Sequence, residues 1–475
     1  MRSFWKPLAL TLGAASLAAC NSVPQQMQAV SQTQRDDIQA SWVVLGEQGQ
    51  AIARVITAAA SCPALEQDGV AQAMQVRAAA QTVAQRKTGS RPEDSKPSAF
   101  PVLTCETPVK PGVSKLSVAG RDLPLPVRNA RKILVIGDTG CRMKLAENYF
   151  QSCNDSDKWA FRDMVEAAAR QKPDVVIHVG DYHYRENACP PGNPACANSP
   201  WGYGWDTWKA DFFDPAKALL KTAPWIMVRG NHEICTRAGQ GWWRFMDPRP
   251  LQAGRDCNLD DNDMKGNYSA PYAVPVGVSG QQTAQFIVFD SAKVPNKPLA
   301  KEDAAYQIYL AQFRQVDQLA AQADVNFFLD HHPVLGFGVE KGKNGELQTW
   351  PGNLAFQDVM QTLHPVRLFP QKVQATISGH VHLFEALTFG SGQPAQFVSG
   401  NGGSSLDTPL PVPLKPGATP MAGVQLDFFS NSNDVGFMTL EREAESWQIK
   451  AWNRHGKLLT ACAMKDGKTD CRSMM

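Results

Sequence analysis

The sequence predicts an α/β fold preceded by a small β-rich domain, and two observations carry this prediction. Beyond Arg128, short apolar runs rich in β-branched residues alternate with stretches of helical spacing, as an α/β domain requires. Before that point, short apolar runs alternate with Gly, Pro and Asp-Gly turns, which is typical of β-strands. We therefore expect a β-rich domain over residues 41–128 and an α/β domain over residues 129–475.

The strands expected in the first of these regions are short. They include residues 42–45, 53–56 and 100–103. The alanine-rich stretches 58–60 and 78–80 fit a helix equally well, so that alternative stays open.

The N-terminus has the pattern of an export signal. Arg2 and Lys6 precede an apolar stretch from Leu8 to Ala19, which is too short to span a bilayer. It ends in Leu17-Ala18-Ala19-Cys20, which resembles the bacterial lipobox. That resemblance implies that Cys20 becomes lipid-modified, while a plain secretory signal is the alternative.

This interpretation assigns a role to each of the first 40 residues. Residues 1–19 are expected to be a lipoprotein signal peptide, and the Gln- and Ser-rich residues 20–40 a flexible tether. Asn21 stands where an Asp would favour inner-membrane retention, which favours the outer membrane, facing the periplasm. The expected partner of Cys20 is thus a membrane.

The bulk composition is that of an ordinary globular protein. The 475 residues are 43% hydrophobic and 19% charged, which allows a large core. The formal net charge is +2, and no long run of like charge occurs. This balance gives no reason to expect nucleic acid as a partner.

Cysteine usage supports export independently. Of 11 cysteines, setting Cys20 aside leaves ten, an even number that suits disulfides in an oxidising compartment. Zinc ribbons are the competing interpretation, but the sequence has no CxxC pair. The simplest pairing, with other connectivities open, joins Cys62 to Cys105, Cys141 to Cys153, Cys189 to Cys196, Cys235 to Cys257 and Cys462 to Cys471.

Periodicity predicts two helices and a hairpin in the α/β region. The first helix starts near Asp155 or Ser156 and stops before Pro173, and the second runs from about Glu302 to Ala321. A terminal hairpin is expected from residues 436–440 and 447–452.

Five apolar runs end abruptly in polar residues that can bind metals. A buried strand holds its C-terminal end rigidly, and the next side chain projects into the crevice where open α/β sheets bind ligands. Each fragment alone is weak evidence, but the set is unlikely in a chain without a metal site. The runs are Ile133-Leu134-Val135-Ile136-Gly137-Asp138, Val175-Val176-Ile177-His178-Val179-Gly180-Asp181, Trp225-Ile226-Met227-Val228-Arg229-Gly230-Asn231-His232-Glu233, Phe327-Phe328-Leu329-Asp330-His331-His332-Pro333 and Ala375-Thr376-Ile377-Ser378-Gly379-His380-Val381-His382.

The order of these motifs resembles that of the calcineurin-like metallophosphoesterases over residues 130–455. The resemblance implies a four-layer sandwich, two facing sheets flanked by helices, and a centre of two metal ions. It further implies that Asp181 bridges both ions. Asp138 and His382 would bind the first ion, and Asn231, His331 and His380 the second.

One departure from the usual pattern is informative. Most members of that family have His two residues after the first Asp, where this chain has Gly140. Tyr184, three residues after Asp181, matches the purple acid phosphatase branch, where a Tyr at this spacing is a ligand. A phenolate suits a trivalent cation, so we expect iron(III) in the first position and a divalent zinc, iron or manganese ion in the second. The alternative for Tyr184 is packing beside Tyr182.

The same resemblance implies the substrate contacts. His232 corresponds to the family histidine that contacts phosphate and protonates the leaving oxygen, and Asn231 lies beside it. Arg237 could pair with phosphate oxygens, although a helix with solvated arginines is as good an interpretation of residues 235–250. The insert from Cys189 to Trp208 is expected to form the rim of the cleft.

These motifs favour an enzyme that hydrolyses phosphate esters of small molecules. A phosphomonoesterase of the acid phosphatase type is the leading hypothesis. A phosphodiesterase or nucleotide hydrolase uses the same ligands and is the nearest alternative. A surface-anchored binding protein with a vestigial catalytic domain is the alternative from another class.

Overall fold

A computed structural model describes residues 1–4, 35–279, 282–341, 344 and 346–474. Cys20 and most of the predicted signal peptide and tether lie outside the described residues. Within those ranges, none of the helices combines the length and the apolar character that a membrane span requires.

The region before residue 129 is β-rich, as predicted. The alanine-rich stretches that also fitted a helix are a bend after the second strand and the end of the fifth. The strands are β1 (Ile38–Leu45), β2 (Ala51–Thr57), β3 (Ala64–Gln67), β4 (Val70–Ala73), β5 (Gln75–Ala78), β6 (Gln81–Val83), β7 (Ser98–Phe100), β8 (Leu103–Pro108), β9 (Leu116–Val118) and β10 (Arg121–Asp122).

The following residues alternate between strands and helices. Up to residue 266 the elements are β11 (Lys132–Ile136), β12 (Met143–Lys144), β13 (Tyr149–Phe150), α1 (Phe161–Ala169), β14 (Val175–His178), α2 (Trp205–Trp208), α3 (Lys217–Leu220), β15 (Trp225–Met227), α4 (Gly239–Gly241) and α5 (Asp263–Gly266). Then come β16 (Tyr272–Ser279), β17 (Gln282–Val288), α6 (Ala304–Ala320), β18 (Val325–Leu329), β19 (Gly338–Lys341), β20 (Leu347–Trp350), α7 (Leu354–Leu363), β21 (Val373–Ser378), β22 (Phe384–Phe389), β23 (Ala395–Ser399), β24 (Leu426–Ser432), β25 (Gly436–Arg442), β26 (Trp447–Asn453), β27 (Leu458–Lys465) and β28 (Lys468–Ser473).

Two large sheets form the centre of the molecule. The first sheet has the strand order β28-β27-β26-β25-β11-β14-β15-β1-β2-β8-β5, and the second has the order β16-β17-β18-β21-β23-β22-β24. One apolar core contains side chains from both, such as Ile133 and Ile177 from the first and Phe327 and Ile377 from the second. The sheets therefore face each other.

Helices cover the outer faces. On the first sheet, Leu134 and Ile136 pack with the apolar side of α1; on the second, Phe328 packs with α6 and α7. Since successive residues of a strand point to opposite faces, the central strands are apolar throughout. The expected four-layer α/β/β/α sandwich is confirmed.

The N-terminal strands join this sandwich. Strand β1 pairs in parallel with β15, with Val44 opposite Trp225, so β1, β2, β8 and β5 extend the first sheet. Strands β3, β4, β9 and β10 form a separate small sheet. The domain division at residue 128 stays a prediction, but hydrogen bonding runs across it.

The predicted elements are found with shifted ends. Helix α1 begins at Phe161 rather than near Asp155, because Asp155 accepts a hydrogen bond from Asp157 N at 2.9 Å in a preceding turn. Helix α6 occupies most of its predicted range.

The predicted hairpin is β25–β26 but is not terminal, since β27 and β28 continue the sheet. All five disulfides pair as predicted.

Candidate metal centre

The five predicted motifs lie at the carboxyl ends of central strands of both sheets. In the first sheet, the parallel neighbours β11, β14 and β15 lead into Asp138, Asp181 and Asn231. In the second sheet, the parallel neighbours β18 and β21 lead into His331 and His380. The two sheets bring these ends together between them.

A first cluster comprises Asp138, Asp181, Tyr184 and His382. The Tyr184 hydroxyl oxygen lies 3.0 Å from Asp138 Oδ1, 2.9 Å from Asp181 Oδ2 and 2.8 Å from His382 Nε2. His382 Nε2 lies 3.4 Å from Asp138 Oδ1. The Tyr184 side chain is fully buried and points into the cluster rather than packing in a loop.

A second cluster comprises Asp181, Asn231, His331 and His380. Asn231 Oδ1 lies 3.0 Å from His331 Nε2 and 3.0 Å from His380 Nδ1. His331 Nε2 lies 3.2 Å from Asp181 Oδ2. Asp181 therefore belongs to both clusters, at the place where a bridging carboxylate is needed.

The two clusters fit two metal ions. Ligands bound about 2.1 Å from one ion and at right angles lie about 3 Å apart, which is the spacing found between these donor atoms. Carboxylate, phenol, amide and imidazole donors suit hard and borderline cations. The ligand groups Asp138–Asp181–His382 and Asp181–His331–His380 each converge within 4.8 Å.

Backbone carbonyls orient two of the histidines. His331 Nδ1 lies 2.8 Å from Val179 O, and His382 Nδ1 lies 2.5 Å from Ser405 O. A proton on Nδ1 donates to each carbonyl, which leaves the Nε2 lone pair facing its cluster.

Burial and mutual charge shift the pKa values of the clusters. Burial opposes ionisation of Asp181, but His331 and His232 hold its pKa well below the usual range. Burial lowers the pKa of His331, but Asp181 and Asp138 outweigh this and raise it to about 10. Burial, followed by Asp138 and Asp181, raises the pKa of Tyr184 well above its usual value. The crowded carboxylates thus favour positive charge between them.

Three of the candidate ligands have strained backbones. Asp138, Asp181 and His380 have positive φ angles of 56°, 59° and 70°, which non-glycine residues rarely adopt. The glycines beside them leave room for other ligands, because a Cβ at Gly230 would overlap Asp181 Oδ1 and one at Gly379 would overlap Asp138 Oδ2.

Gly140 and Tyr184 are linked by packing. A Cβ at Gly140 would lie 2.9 Å from Tyr184 Cδ2, closer than ordinary carbon contacts. The absence of a side chain at the position that usually holds a histidine therefore makes space for the Tyr184 ring.

Two acidic residues link the loops that carry the motifs, by accepting hydrogen bonds from their backbone N–H groups. Glu233 accepts hydrogen bonds from Gly230 N, Asp181 N and Tyr182 N at 3.1, 3.0 and 2.9 Å. Asp211 accepts from Cys141 N at 3.1 Å and Tyr184 N at 2.7 Å. In the sequence, Glu233 stands out only as part of its motif, and Asp211 has no local pattern to mark it.

Glu186 connects the residues expected to contact substrate. Its Oε1 lies 2.9 Å from His232 Nδ1 and accepts a 2.6 Å hydrogen bond from Arg237 Nε. Lys144 Nζ lies 3.0 Å from Glu186 Oε2. Arg237 Nη2 lies 2.7 Å from His232 Nδ1 and 2.6 Å from His232 Nε2. Sequence analysis missed Glu186, although it lies only two residues after Tyr184.

A cleft of about 580 Å³ opens at the clusters. Its lining includes Asp181, Asn231, His232, Arg237, His380 and His382, whereas Asp138, Tyr184 and His331 are absent from the lining. Arg237 is thus at the cleft, with a side chain 11% exposed. Arg244 packs over the Phe100 ring instead, at 4.5 Å from its centroid.

One expectation about the surroundings of the cleft is wrong. The insert Cys189–Trp208 contributes none of the lining residues. The β19–β20 hairpin, β12 and the residue before β12 contribute instead, with Val339, Trp350, Lys144 and Arg142. The insert is held elsewhere by its own disulfide and by α2, which packs near β7. His332 also lines the cleft.

Comparisons with known proteins agree with this architecture. The chain resembles purple acid phosphatase PPD1 from yellow lupin (Lupinus luteus) with a TM-score of 0.50 and 16% identity, covering 90% of this chain and 74% of the lupin chain. It resembles PhoD with a TM-score of 0.51 and 12% identity, covering 92% of each chain. At these identities the likeness concerns the fold.

No curated protein matches the sequence significantly. The sequence model of the calcineurin-like phosphoesterases, however, matches residues 131–384, which hold every candidate ligand of both clusters. The family implies metal-dependent hydrolysis of phosphate esters at a centre of two metal ions, and the donor atoms described above fit two ions. The chain therefore belongs to the calcineurin-like phosphoesterase family.

Proposed function

We propose that this phosphoesterase is a phosphomonoesterase of the acid phosphatase type that acts on phosphorylated small molecules. The observation that carries the proposal is the position of Arg237, which lines the cleft beside Asn231 and His232. A monoester carries more negative charge than the matching diester, so a guanidinium beside the metal centre favours the monoester.

The proposed centre contains iron(III) in the first cluster and a divalent zinc, iron or manganese ion in the second. Asp138, Asp181, Tyr184 and His382 would hold the first ion, and Asp181, Asn231, His331 and His380 the second. When bound, the ions supply positive charge at the phosphoryl oxygens and make a nearby water more acidic. The space that Gly140 leaves for Tyr184 supports the iron assignment.

The side chains of the cleft wall complete the proposed mechanism. Arg237 binds phosphate oxygens, while Asn231 contributes both to the second cluster and to the cleft. His232 contacts the phosphate and gives a proton to the leaving oxygen, which is general acid catalysis. Glu186 positions His232 and Arg237 together through its Oε1.

The proposal is tested by initial rates on 4-nitrophenyl phosphate and on the matching diester, methyl 4-nitrophenyl phosphate. We expect faster turnover of the monoester. The Arg237→Ala variant should lower kcat/KM for the monoester about 10–100-fold, since a charge-assisted hydrogen bond is worth about 1.5–3 kcal/mol, and should affect the diester less.

Arg162→Ala is the matched control, because Arg162 is exposed on α1. If the enzyme of natural sequence hydrolysed the diester faster than the monoester, the proposed monoester preference would be wrong and the enzyme would be a phosphodiesterase. Hydrolysis of neither ester by the protein with two metals per chain would support a vestigial catalytic domain.

We further propose that the protein is exported and lipid-anchored at Cys20 in the outer membrane, facing the periplasm. The five disulfides support export, since such bonds persist in oxidising compartments. Labelling with a fatty-acid analogue should mark the protein of natural sequence in the membrane fraction. The Cys20→Ser variant should stay unlabelled. A labelled Cys20→Ser variant would contradict the anchor.

A further inference from the structure

The cleft is larger than a phosphate group requires. Its volume of about 580 Å³ falls in the range of about 300–1,000 Å³ that is typical of small-molecule sites. The metal clusters occupy one part of the lining, so space for the leaving group remains beside them.

One part of that lining is apolar. It consists of Phe337, Val339, Trp350 and Pro351, which belong to the β19–β20 hairpin and its flanks. Trp350 is 51% exposed, and it is the one tryptophan in the described part of the chain with an exposed side chain. An indole left half in solvent inside a catalytic cleft presents a flat apolar face to whatever binds there.

Trp350 lies close to the metal-binding loop. It pairs with Gly338 across the hairpin, and a Cβ at Gly338 would lie 3.7 Å from Trp350 Cβ and 4.0 Å from Val381 Cγ2. Val381 stands between His380 and His382 in the chain. Trp350 and the loop that carries two candidate ligands thus both lie beside Gly338.

The backbone beside Trp350 is held in place. Asn353 N donates to Pro333 O at 2.9 Å, and Asn353 Oδ1 caps α7 by accepting from Phe356 N at 2.9 Å. A Cβ at Gly352 would overlap Val334 O. The chain leaving Trp350 is therefore bound to the segment that follows His331 and His332, which limits the entropy lost when a ligand packs on the ring.

We propose that the cleft takes phosphate esters whose leaving group contains a planar aromatic ring, and that this ring stacks on Trp350 while the phosphoryl group lies at the two clusters. The inference rests on the proposed function and names its substrate class. Stacking on an aromatic side chain recognises any flat ring, whether aryl or nucleobase, so the experiment separates these two sources.

The test compares kcat/KM for 4-nitrophenyl phosphate, adenosine 5′-monophosphate and glycerol 2-phosphate in the unmodified enzyme and two variants. Trp350→Leu should lower kcat/KM about tenfold on a ring substrate, the effect expected from losing one stacking contact, and should change glycerol 2-phosphate less than about twofold. Trp350→Phe should restore most of the loss, because it returns a flat ring.

Thr349→Ala is the matched control, since Thr349 is the neighbouring exposed residue of β20 and does not line the cleft. If Trp350→Leu lowers kcat/KM for only one of the two ring substrates, the proposal is supported. The leaving group is then aryl if 4-nitrophenyl phosphate is affected and a nucleoside if adenosine 5′-monophosphate is affected. Equal losses on all three substrates, or no loss on either ring substrate, overturn it.

A binding measurement separates this inference from the proposed function. Calorimetry of phenylphosphonate and methylphosphonate with the metal-loaded protein needs no turnover. Trp350→Leu should raise the Kd of phenylphosphonate about tenfold and leave that of methylphosphonate unchanged. If Trp350→Leu leaves the Kd of phenylphosphonate unchanged, the stacking role is overturned. If it raises that Kd, the stacking role is supported. Both conclusions hold even if the enzyme prefers diesters and the proposed function fails.

Discussion

The two sheets make different contributions to the candidate metal centre. The first sheet leads into Asp138, Asp181, Tyr184 and Asn231, which all offer oxygen atoms. The second leads into His331, His380 and His382, which all offer nitrogen atoms. The first half thus carries the negative charge that attracts cations, and the second carries the imidazole nitrogens that complete each site. Neither half alone contains a full ligand set, so the site depends on the packing between the sheets.

Removing the shared oxygen ligand should have the largest effect. Asp181→Ala should lower kcat at least about 10³-fold, because charge stabilisation by the metal centre is worth several kcal/mol. It should also reduce the content of both ions, since Asp181 belongs to both clusters. His331→Ala removes a nitrogen donor from the second cluster only. This variant should lose one ion and retain the other, as measured by elemental analysis.

Asp163→Ala is the control for these measurements, because Asp163 is exposed on α1. If Asp181→Ala kept two ions per chain, Asp181 would not be the bridge.

Changing the phenol should alter the colour of the protein. Iron(III) bound to a phenolate absorbs visible light, so the oxidised enzyme should be coloured and Tyr184→Phe should lose that band, with kcat lowered about 10–100-fold. Tyr182→Phe should keep the colour, because the Tyr182 hydroxyl contacts Val228 O at 3.0 Å rather than the clusters. A colourless enzyme with two ions per chain would refute the iron assignment.

Glu186→Gln tests the charged network that lies beside the oxygen donors of the first sheet. Gln keeps the shape but loses the charge that pairs with Arg237 and Lys144, so kcat should fall about tenfold. The loss should concern kcat more than KM if Glu186 orients His232. Glu166→Gln is the control, since Glu166 is exposed on α1 and does not line the cleft; an equal effect of both changes would argue against the positioning role.

The smallest effect concerns a buried carboxyl of the second sheet. In the first half, Asp211 accepts several hydrogen bonds and pairs with Arg185 at 2.6 Å. In the second, Glu385 Oε2 accepts from Phe337 N at 3.0 Å, while Oε1 has no partner in the described residues. Burial raises the pKa of Glu385 to about 8.

Because the unfolded chain ionises Glu385 near pH 4.5 and the folded chain near pH 8, this residue lowers stability as the pH rises through that window. Glu385→Gln should therefore increase the free energy of unfolding at pH 8 by about 1–3 kcal/mol relative to pH 5. Urea denaturation at both pH values measures this, with exposed Glu302→Gln as the control. A variant that gains nothing at pH 8 would show that the carboxyl ionises normally.

The sequence predicted which candidate ligands come together better than it predicted their surroundings, for a physical reason. Asp138, Asp181 and His380 each follow a glycine at the end of an apolar strand, so their positions depend on a local pattern. Asp211 and Trp350 are brought to the site only by tertiary packing, through the π-helical turn Lys209–Phe213 after α2 and the β19–β20 hairpin. The insert Cys189–Trp208 was placed at the rim because it follows Tyr184 in sequence, but its own contacts direct it elsewhere.

The division of donors between the two sheets also sets an order of events during synthesis. Asn231 leaves the ribosome roughly 150 residues before His382, which corresponds to about 8–30 s at bacterial and eukaryotic elongation rates. For roughly the first 100 of these residues the nascent chain offers the oxygen donors without an imidazole ligand, because His331 is the first of the three histidines to be made. A complete set of candidate ligands therefore exists only after the last third of the polypeptide has been made and the second sheet has packed against the first sheet.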